Sequence, residues 1–266
     1  MVDFQCKPHY GWEDFLEIMK LLRAPGGCPW DAEQTHDSIR RNFLEETYEV
    51  LDALDHDDPH AMCEELGDVL MQVVFHAQIE TERGRFTMDD VVDGVAQKLV
   101  YRHPHVFGTV QADTSEQVLV NWEALKRQEK GQRSTADAIE SVPHTLPALW
   151  RSEKIQSKTA KAGFDWHDAV GALDKLEEEV RELREAMESG RPADSPHGVR
   201  EELGDVLFIA SKIAQTSGVD PEDALHRACD KFEARFRRVE TAADKPLSAC
   251  TEAELAALWK SAKKES

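Results

Sequence analysis

The sequence predicts an all-α fold built as two tandem homologous helical bundles of about four to five helices each. Three observations predict it. Apolar residues recur at helical spacing along most of the chain, no convincing run of alternating β-branched residues is present, and the motifs of the first half return in order in the second.

The elements follow from local signals. Trp12, Phe15, Leu16, Met19 and Leu22 form the stripe of a first amphipathic helix, closed by the breaker-rich loop Ala24-Pro25-Gly26-Gly27-Cys28-Pro29. Ile39, Phe43, Thr47, Val50 and Leu54 mark a second helix. Met62, Leu66, Val69, Val73 and Ala77 mark a third, with Pro59 in its first turn and Gly84 beyond its end. Thr87 with Asp90 predicts the cap of a fourth, carrying Val91, Val95 and Leu99 and stopped by Pro104. A fifth is expected over 115–130. Residues 131–147, with Pro143 and Pro147, read as a linker between domains at 1–130 and 148–266. Beyond it, helices are expected near 148–162, 168–189, 197–217, 221–241 and 251–264. Asp220 followed by Pro221 starts one of them, and Thr251 with Glu254 another.

The repeat fixes the domain organisation. Residues 64–70, Glu64 to Leu70, recur identically as Glu201 to Leu207, 137 positions later. Glu45, Glu46 and Glu49 match Glu178, Glu179 and Glu182. Gly27 and Trp30 match Gly163 and Trp166; Lys98 and Arg102 match Lys231 and Arg235; Trp122 and Lys126 match Trp259 and Lys263. Five anchors in one order are the trace of a duplicated domain, and the small changes in offset fall between them, where loops belong.

Composition narrows the function. The 266 residues hold 52 acids against 32 lysines and arginines, a formal charge of −20. Such a surface repels nucleic-acid backbones and anionic membranes, so neither is an expected partner. The N-terminus lacks the basic start and apolar run of a signal peptide, and no uninterrupted apolar stretch is long enough to span a bilayer. The five scattered cysteines include no Cys-x-x-Cys pair, which points to free thiols in a reducing cytoplasm.

The acids themselves carry the chemistry. With 52 acids in 266 residues, about two acid-acid-x-x-acid strings arise by chance, and one alone describes a solvated helix face. The pairing is more specific. Glu46 and Glu49 share one helix face, Glu65 and Asp68 share a face of the next, and antiparallel packing makes the four converge. The second half repeats the arrangement with Glu179, Glu182, Glu202 and Asp205. Uncompensated, such a cluster repels itself; a hard divalent cation relieves it, and an all-oxygen set suits magnesium, or manganese in its place, better than zinc. Gly67 and Gly204 each cost about 1 kcal/mol inside their helices; a close backbone approach or tight helix packing would explain them. Lys231 and Arg235, one turn apart, are placed to contact phosphate oxygens, although a solvated face has the same spacing.

In the order of these carboxylates, in Gly27 to Asp31, Leu44 to Ala53, Gly84 to Phe86 and Arg102 to Phe107, and in Gly163 to Trp166 and Lys231 to Phe236, the chain resembles the all-α nucleoside triphosphate pyrophosphohydrolase superfamily, in particular its two-domain bacterial branch. The resemblance implies magnesium-dependent hydrolysis of nucleoside triphosphates to the monophosphate and pyrophosphate, with a housekeeping role in the nucleotide pool. It also implies a homodimer, the second domain as principal catalyst, and a C-terminal segment that helps close the nucleotide site. Glu179, Glu182, Glu202 and Asp205 are then the catalytic metal ligands. Lys231, Arg235, Trp259 and Lys263 are nucleotide-binding candidates, with Lys98 and Arg102 as first-half equivalents. Trp259 reads equally as a core aromatic.

Weakly in the same direction, residues 1–133 hold 26 acids and 13 bases, whereas 134–266 hold 26 acids and 19 bases. The first half remains either a second catalyst or a structural and regulatory partner. The histidines point elsewhere only superficially. His36-Asp37, His56-Asp57 and His167-Asp168 suggest a histidine–aspartate phosphohydrolase but lack further paired ligands, and His103 and His105 flank Pro104 where capping is expected. A di-iron bundle needs Glu-x-x-His on two core helices, and Glu33 with His36 lies beside a loop. The competing class is an acidic helical module that binds a partner or metal without turnover; the matched basic and tryptophan anchors argue against it.

Overall fold

A computed structural model describes residues 2, 4–166 and 169–264. The chain divides into two compact units, Met1–Lys126 and Arg127–Ser266. Among the described residues the regular structure is entirely helical. The first unit holds α1 (Trp12–Arg23), α2 (Pro29–Glu33), α3 (His36–Asp55), α4 (Pro59–Glu82), α5 (Met88–Arg102), α6 (Pro104–Phe107) and most of α7 (Ser115–Glu129). The second holds α8 (Thr135–Glu140), α9 (Ala148–Lys161), α10 (Ala169–Glu188), α11 (Val199–Thr216), α12 (Pro221–Ala242) and α13 (Glu252–Ala262), with a short 3₁₀ turn at Leu247–Ala249. The two smallest first-unit helices, α2 and α6, are single turns in what the sequence read as loop, each begun by a proline at its first position.

Local chemistry sets the helix starts. Thr35 accepts from the Ser38 amide to cap α3, Asp58 accepts from the His60 and Ala61 amides to cap α4, and Thr87 with Asp90 makes the expected reciprocal cap of α5. The three-residue turn between α3 and α4 folds them into a hairpin, the main packed pair of this unit. Met19, Ile39, Val74, Phe75 and Ile79 form its core, with Phe15, Leu16, Met71 and Met88 around them. Arg23, whose side chain is almost fully enclosed, lies over the Phe75 ring at 5.1 Å. Its guanidinium donates to the Asp31 carbonyl at 2.5 Å and the Gln34 carbonyl at 3.2 Å, and pairs with Glu82 at 2.8 Å. One cation from α1 thereby pins the segment that leads into α3.

The second unit is organised around the α10–α11 pair. Ala172 and Ala186 are buried on α10, small enough to let α11 approach closely, and Ile209, Ser211 and Lys212 are buried on α11. Lys212 is 2% exposed; its ammonium pairs with Asp165 at 2.5 Å and donates to Gln215 at 2.8 Å, 6.0 Å from the Trp166 ring centre. Here too a cation holds the loop entering the ligand-bearing helix, but it comes from α11. Lys212 matches Phe75 in the repeat, and Thr159 matches Arg23.

The segment 131–147 is a correction. It is no free linker: it carries α8, capped by Ser134 and Asp137, buries Ala138 and Val142, and packs on α9. The prolines that suggested a linker end α8 and cap α9 instead, Pro147 being the cap. The division of the chain falls within α7 rather than after residue 130. Gly67 and Gly204 are a second correction, since a Cβ at either would meet nothing within 4 Å; neither backbone contact nor tight packing within a unit requires them. Of the histidine–aspartate pairs, His36 begins α3 and His56 caps it, whereas His167 and Asp168 lie outside the described residues.

At the C-terminus, Thr251 and Glu254 cap α13 reciprocally, and Lys245 binds the Glu254 carboxylate at 2.9 Å. The lysine contact first, then the Thr251 amide and hydroxyl, hold the Glu254 carboxyl down to about 2. A group so lowered contributes its stabilisation above the ordinary value of 4.5 and loses it as pH falls through about 2. A carbon-13 titration of Glu254 is therefore expected to show a midpoint near the lower figure; a midpoint of 4 or above contradicts this cap.

Candidate metal and nucleotide site

Each hairpin brings three of its four expected carboxylates together. In the first unit, oxygens of Glu46 and Glu49 on α3 and Glu65 on α4 lie within 4.8 Å of one another. Asp68 falls outside that group but acts on two of its members. Burial first, then the charges of Asp68 and Glu49, push the Glu46 carboxyl up, while a hydrogen bond from Gln72 opposes the rise. Burial and the neighbouring Glu49, Asp68 and Glu64 push Glu65 up. Gln72 is buried, 5% exposed, and its Oε1 has no hydrogen-bond partner.

In the second unit, Glu179 on α10 meets Glu202 and Asp205 on α11 within the same distance. Glu179 and Glu202 are buried. Glu182, one turn along α10, is coupled to them: burial first and then Glu179 push its carboxyl up, with Lys175 opposing. Asp205 is pushed up by burial, Glu179 and Glu202. The loop before α11 sets Glu202 in the first turn. His197 takes a positive φ of 54°, and a Cβ on Gly198 would meet the carbonyls of Ala193, Ser195 and Pro192 at 2.6–2.8 Å, so only glycine fits.

Two basic side chains there, Lys175 and His197, were not singled out by the sequence reading. The Lys175 ammonium lies 2.8 Å from Glu179 and 3.2 Å from Glu178, and these contacts, Glu179 foremost, hold it above the usual lysine value. His197 Nδ1 lies 3.4 Å from Glu202. Lys175 was legible as a cation three and four residues before acids on one helix; His197 depends on the loop's fold and left no such trace.

Of the basic and aromatic candidates, Lys231 is exposed on α12 and Arg235 half-buried one turn on, and α12 packs on both α11 and α13. Trp259 is half-buried, its ring 5.1 Å from Phe232, which stacks on Phe236, and Lys263 Nζ sits 6.0 Å over the indole. Trp259 thus packs α13 on α12, as the core-aromatic reading expects. The first unit differs. Lys98 is exposed, but Arg102 is only 8% exposed, its guanidinium 5.2 Å over the Trp122 ring, with His103 on the ring edge. The structure buries the first-half arginine that was expected to reach nucleotide. His103 Nδ1 bonds the Leu99 carbonyl at 2.6 Å, the capping role anticipated for it.

Residues 34–107 and 167–239 each match the MazG nucleotide pyrophosphohydrolase domain, so the matched stretches contain both carboxylate hairpins. The chain belongs to the MazG family. A MazG relative from Thermotoga maritima, a nucleoside triphosphate pyrophosphohydrolase/pyrophosphatase, is 43% identical over 234 residues, 88% of this chain and 87% of its own. A nucleoside triphosphate pyrophosphohydrolase from Escherichia coli is 44% identical over 85% of each chain. One from Mycolicibacterium smegmatis is 42% identical over 57% of this chain and 46% of its own. The two MazG domains match the tandem repeat read from the sequence, and the all-α expectation holds throughout the described residues. A merely acidic interaction module is not favoured by these likenesses.

Proposed function

We propose that this chain hydrolyses nucleoside triphosphates to the monophosphate and pyrophosphate, using magnesium, or manganese in its place, held by the carboxylates of the α10–α11 hairpin. The observation that carries the reading is the convergence of Glu179, Glu202 and Asp205, with Glu182 coupled to them, inside a domain matched to a family of nucleotide pyrophosphohydrolases. The donors fit the ion: all are oxygens, two are buried, and Asp205 and Glu182 are pushed up by burial and then by their neighbours' charge, a strain that a hard cation relieves. When bound, magnesium supplies charge neutralisation on the phosphates and activation of water. The first hairpin, Glu46, Glu49, Glu65 and Asp68, offers the same donor types.

The protein's own groups do the rest. Lys175, drawn off Glu179 by the phosphates, donates to them. Lys231 gives a point charge and Arg235 a planar fork for phosphate oxygens one turn apart. Trp259 and Lys263, both on the C-terminal segment, close the nucleotide end. These bases offset the repulsion between an acidic chain and an anionic substrate.

The test is incubation of the purified protein with a panel of nucleoside triphosphates and magnesium, with products separated chromatographically. Monophosphate with pyrophosphate is the expected pair; diphosphate with phosphate overturns the reading.

The working form is a homodimer in this reading. Leu66 and Leu70 on α4 and Leu203 and Leu207 on α11 are 40–50% exposed, beside the two glycines around which the space is open. A second copy covers such a face without changing the helices. Sedimentation equilibrium is expected to give twice the chain mass, and a monomer mass overturns it. No helix among the described residues is long and apolar enough to cross a membrane. Five free cysteines favour the cytoplasm as the working compartment. The acidic surface favours free nucleotides over nucleic acid, and a housekeeping role in the nucleotide pool follows from the reaction.

A further inference from the structure

The two hairpins share their acids and differ in what neutralises them. In the second, Lys175 occupies Glu179 and Glu178 directly, and His197 stands beside Glu202. In the first, the position matching Lys175 is Asn42, and the charges that act on Glu46 and Glu65 are those of other carboxylates. The first hairpin also holds a group the second lacks. Gln72 is buried beside Glu46 and leaves its amide oxygen unpartnered, whereas the matching residue on α11 is Ile209. A buried acceptor without a donor is costly, and the same amide hydrogen-bonds the Glu46 carboxylate, which ties Gln72 to the acidic cluster.

We propose that the two sites load in a fixed order: the Glu46–Glu49–Glu65 site takes a divalent cation in the nucleotide-free protein, with Gln72 steadying Glu46, whereas the Glu179–Glu202–Asp205 site is held by Lys175 and takes its cation only together with the triphosphate. The first domain then carries a resident metal and the second a substrate-borne one. The physical basis is a competition. An ammonium tethered 2.8 Å from Glu179 is an intramolecular rival for the carboxylate and repels a dication brought beside it. A triphosphate reverses that balance, because it delivers the cation already chelated and offers Lys175 phosphate oxygens in exchange. Among the described residues, no lysine or arginine ion pair holds Glu46, Glu49 or Glu65.

This inference rests on the reading that both clusters bind magnesium or manganese, and the experiment separates the two. Full-length protein is titrated with Mn²⁺, the free ion being followed by electron paramagnetic resonance, with and without an α,β-methylene triphosphate that cannot be cleaved. Without nucleotide, one class of bound Mn²⁺ is expected. Glu65→Gln should abolish it and Gln72→Ile weaken it; Glu202→Gln should leave it intact. With the analogue, a second class appears and is lost in Glu202→Gln. Lys175→Met is expected to tighten second-site binding without nucleotide by about tenfold or more, the scale on which an adjacent charge shifts a carboxylate. Equal loading of both sites in nucleotide-free wild type overturns the proposed order, as does Lys175→Met binding no more ion than wild type. Binding of no ion under any condition overturns the metal reading itself. Circular dichroism checks that each variant is folded, and Gln72→Ile, which introduces the residue of the second hairpin, serves where Glu65→Gln is not.

Discussion

Glu179→Gln is expected to lower kcat for triphosphate hydrolysis by about 10²–10³-fold, the range for removing one preorganised electrostatic contact from a transition state, while Glu46→Gln leaves more than half the rate. The asymmetry comes from the bases rather than the acids. In the second unit Lys231 is exposed, Arg235 lies one turn away on the same helix, and Trp259 carries Lys263 on one side. In the first, the matching arginine is spent on Trp122, and releasing it would sacrifice a buried cation–π contact. The first hairpin's matching arginine is buried, whereas on α12 Lys231 is exposed and Arg235 half-buried. Glutamine preserves shape and removes the charge, so the loss should appear in kcat at saturating magnesium. Steady-state kinetics of the two variants side by side decide it. Comparable losses in both make the first domain a second catalyst, and a loss confined to Glu46→Gln reverses the assignment.

Asp165→Ala is expected to destabilise the protein by ~3 kcal/mol, because it strands the ammonium of Lys212 in an enclosed site. Lys212 is 2% exposed and would retain its hydrogen bond to Gln215. Removing both charges is a different matter. Lys212→Met with Asp165→Asn is expected within about 1 kcal/mol of wild type, since a well-packed apolar replacement escapes the desolvation penalty. Urea unfolding monitored by tryptophan fluorescence and by circular dichroism compares the three proteins. A single variant as stable as wild type, or a double variant as unstable as the single, contradicts the account of that pair.

What the sequence made legible was whatever is local or repeated. Caps such as Thr87 with Asp90 and Thr251 with Glu254 act within four residues, so each could be read directly and each is present. The carboxylate pairing was legible because it occurs twice. The segment around α8 was misread because its six residues are too few to show periodicity, and the prolines at 143 and 147 outweighed the buried Ala138 and Val142. The burial of Arg102 depends on Trp122, twenty residues further along, and the role of Gln72 depends on a carboxylate across the hairpin. Both are tertiary facts, with no spacing rule to announce them. Gly67 and Gly204 were misjudged for the opposite reason: a helical glycine suggests crowding, and here the space beside it is open.

The cation that steadies each entry loop has changed helices between the two halves, from Arg23, over Phe75, to Lys212, which stands where Phe75 does while Thr159 stands where Arg23 does. Neither half can therefore receive the other's residue one at a time. A lysine at position 75 alone buries a second cation beside Arg23, and a phenylalanine at position 212 alone leaves Asp165 without a counter-charge. The duplicated halves have become incompatible as donors of single parts: gene conversion that copies α4 onto α11 must also carry α1, which bears Arg23, or yield a protein that folds poorly. Divergence at two non-catalytic positions has thus locked the copies apart, leaving each free to specialise around an unchanged set of acids.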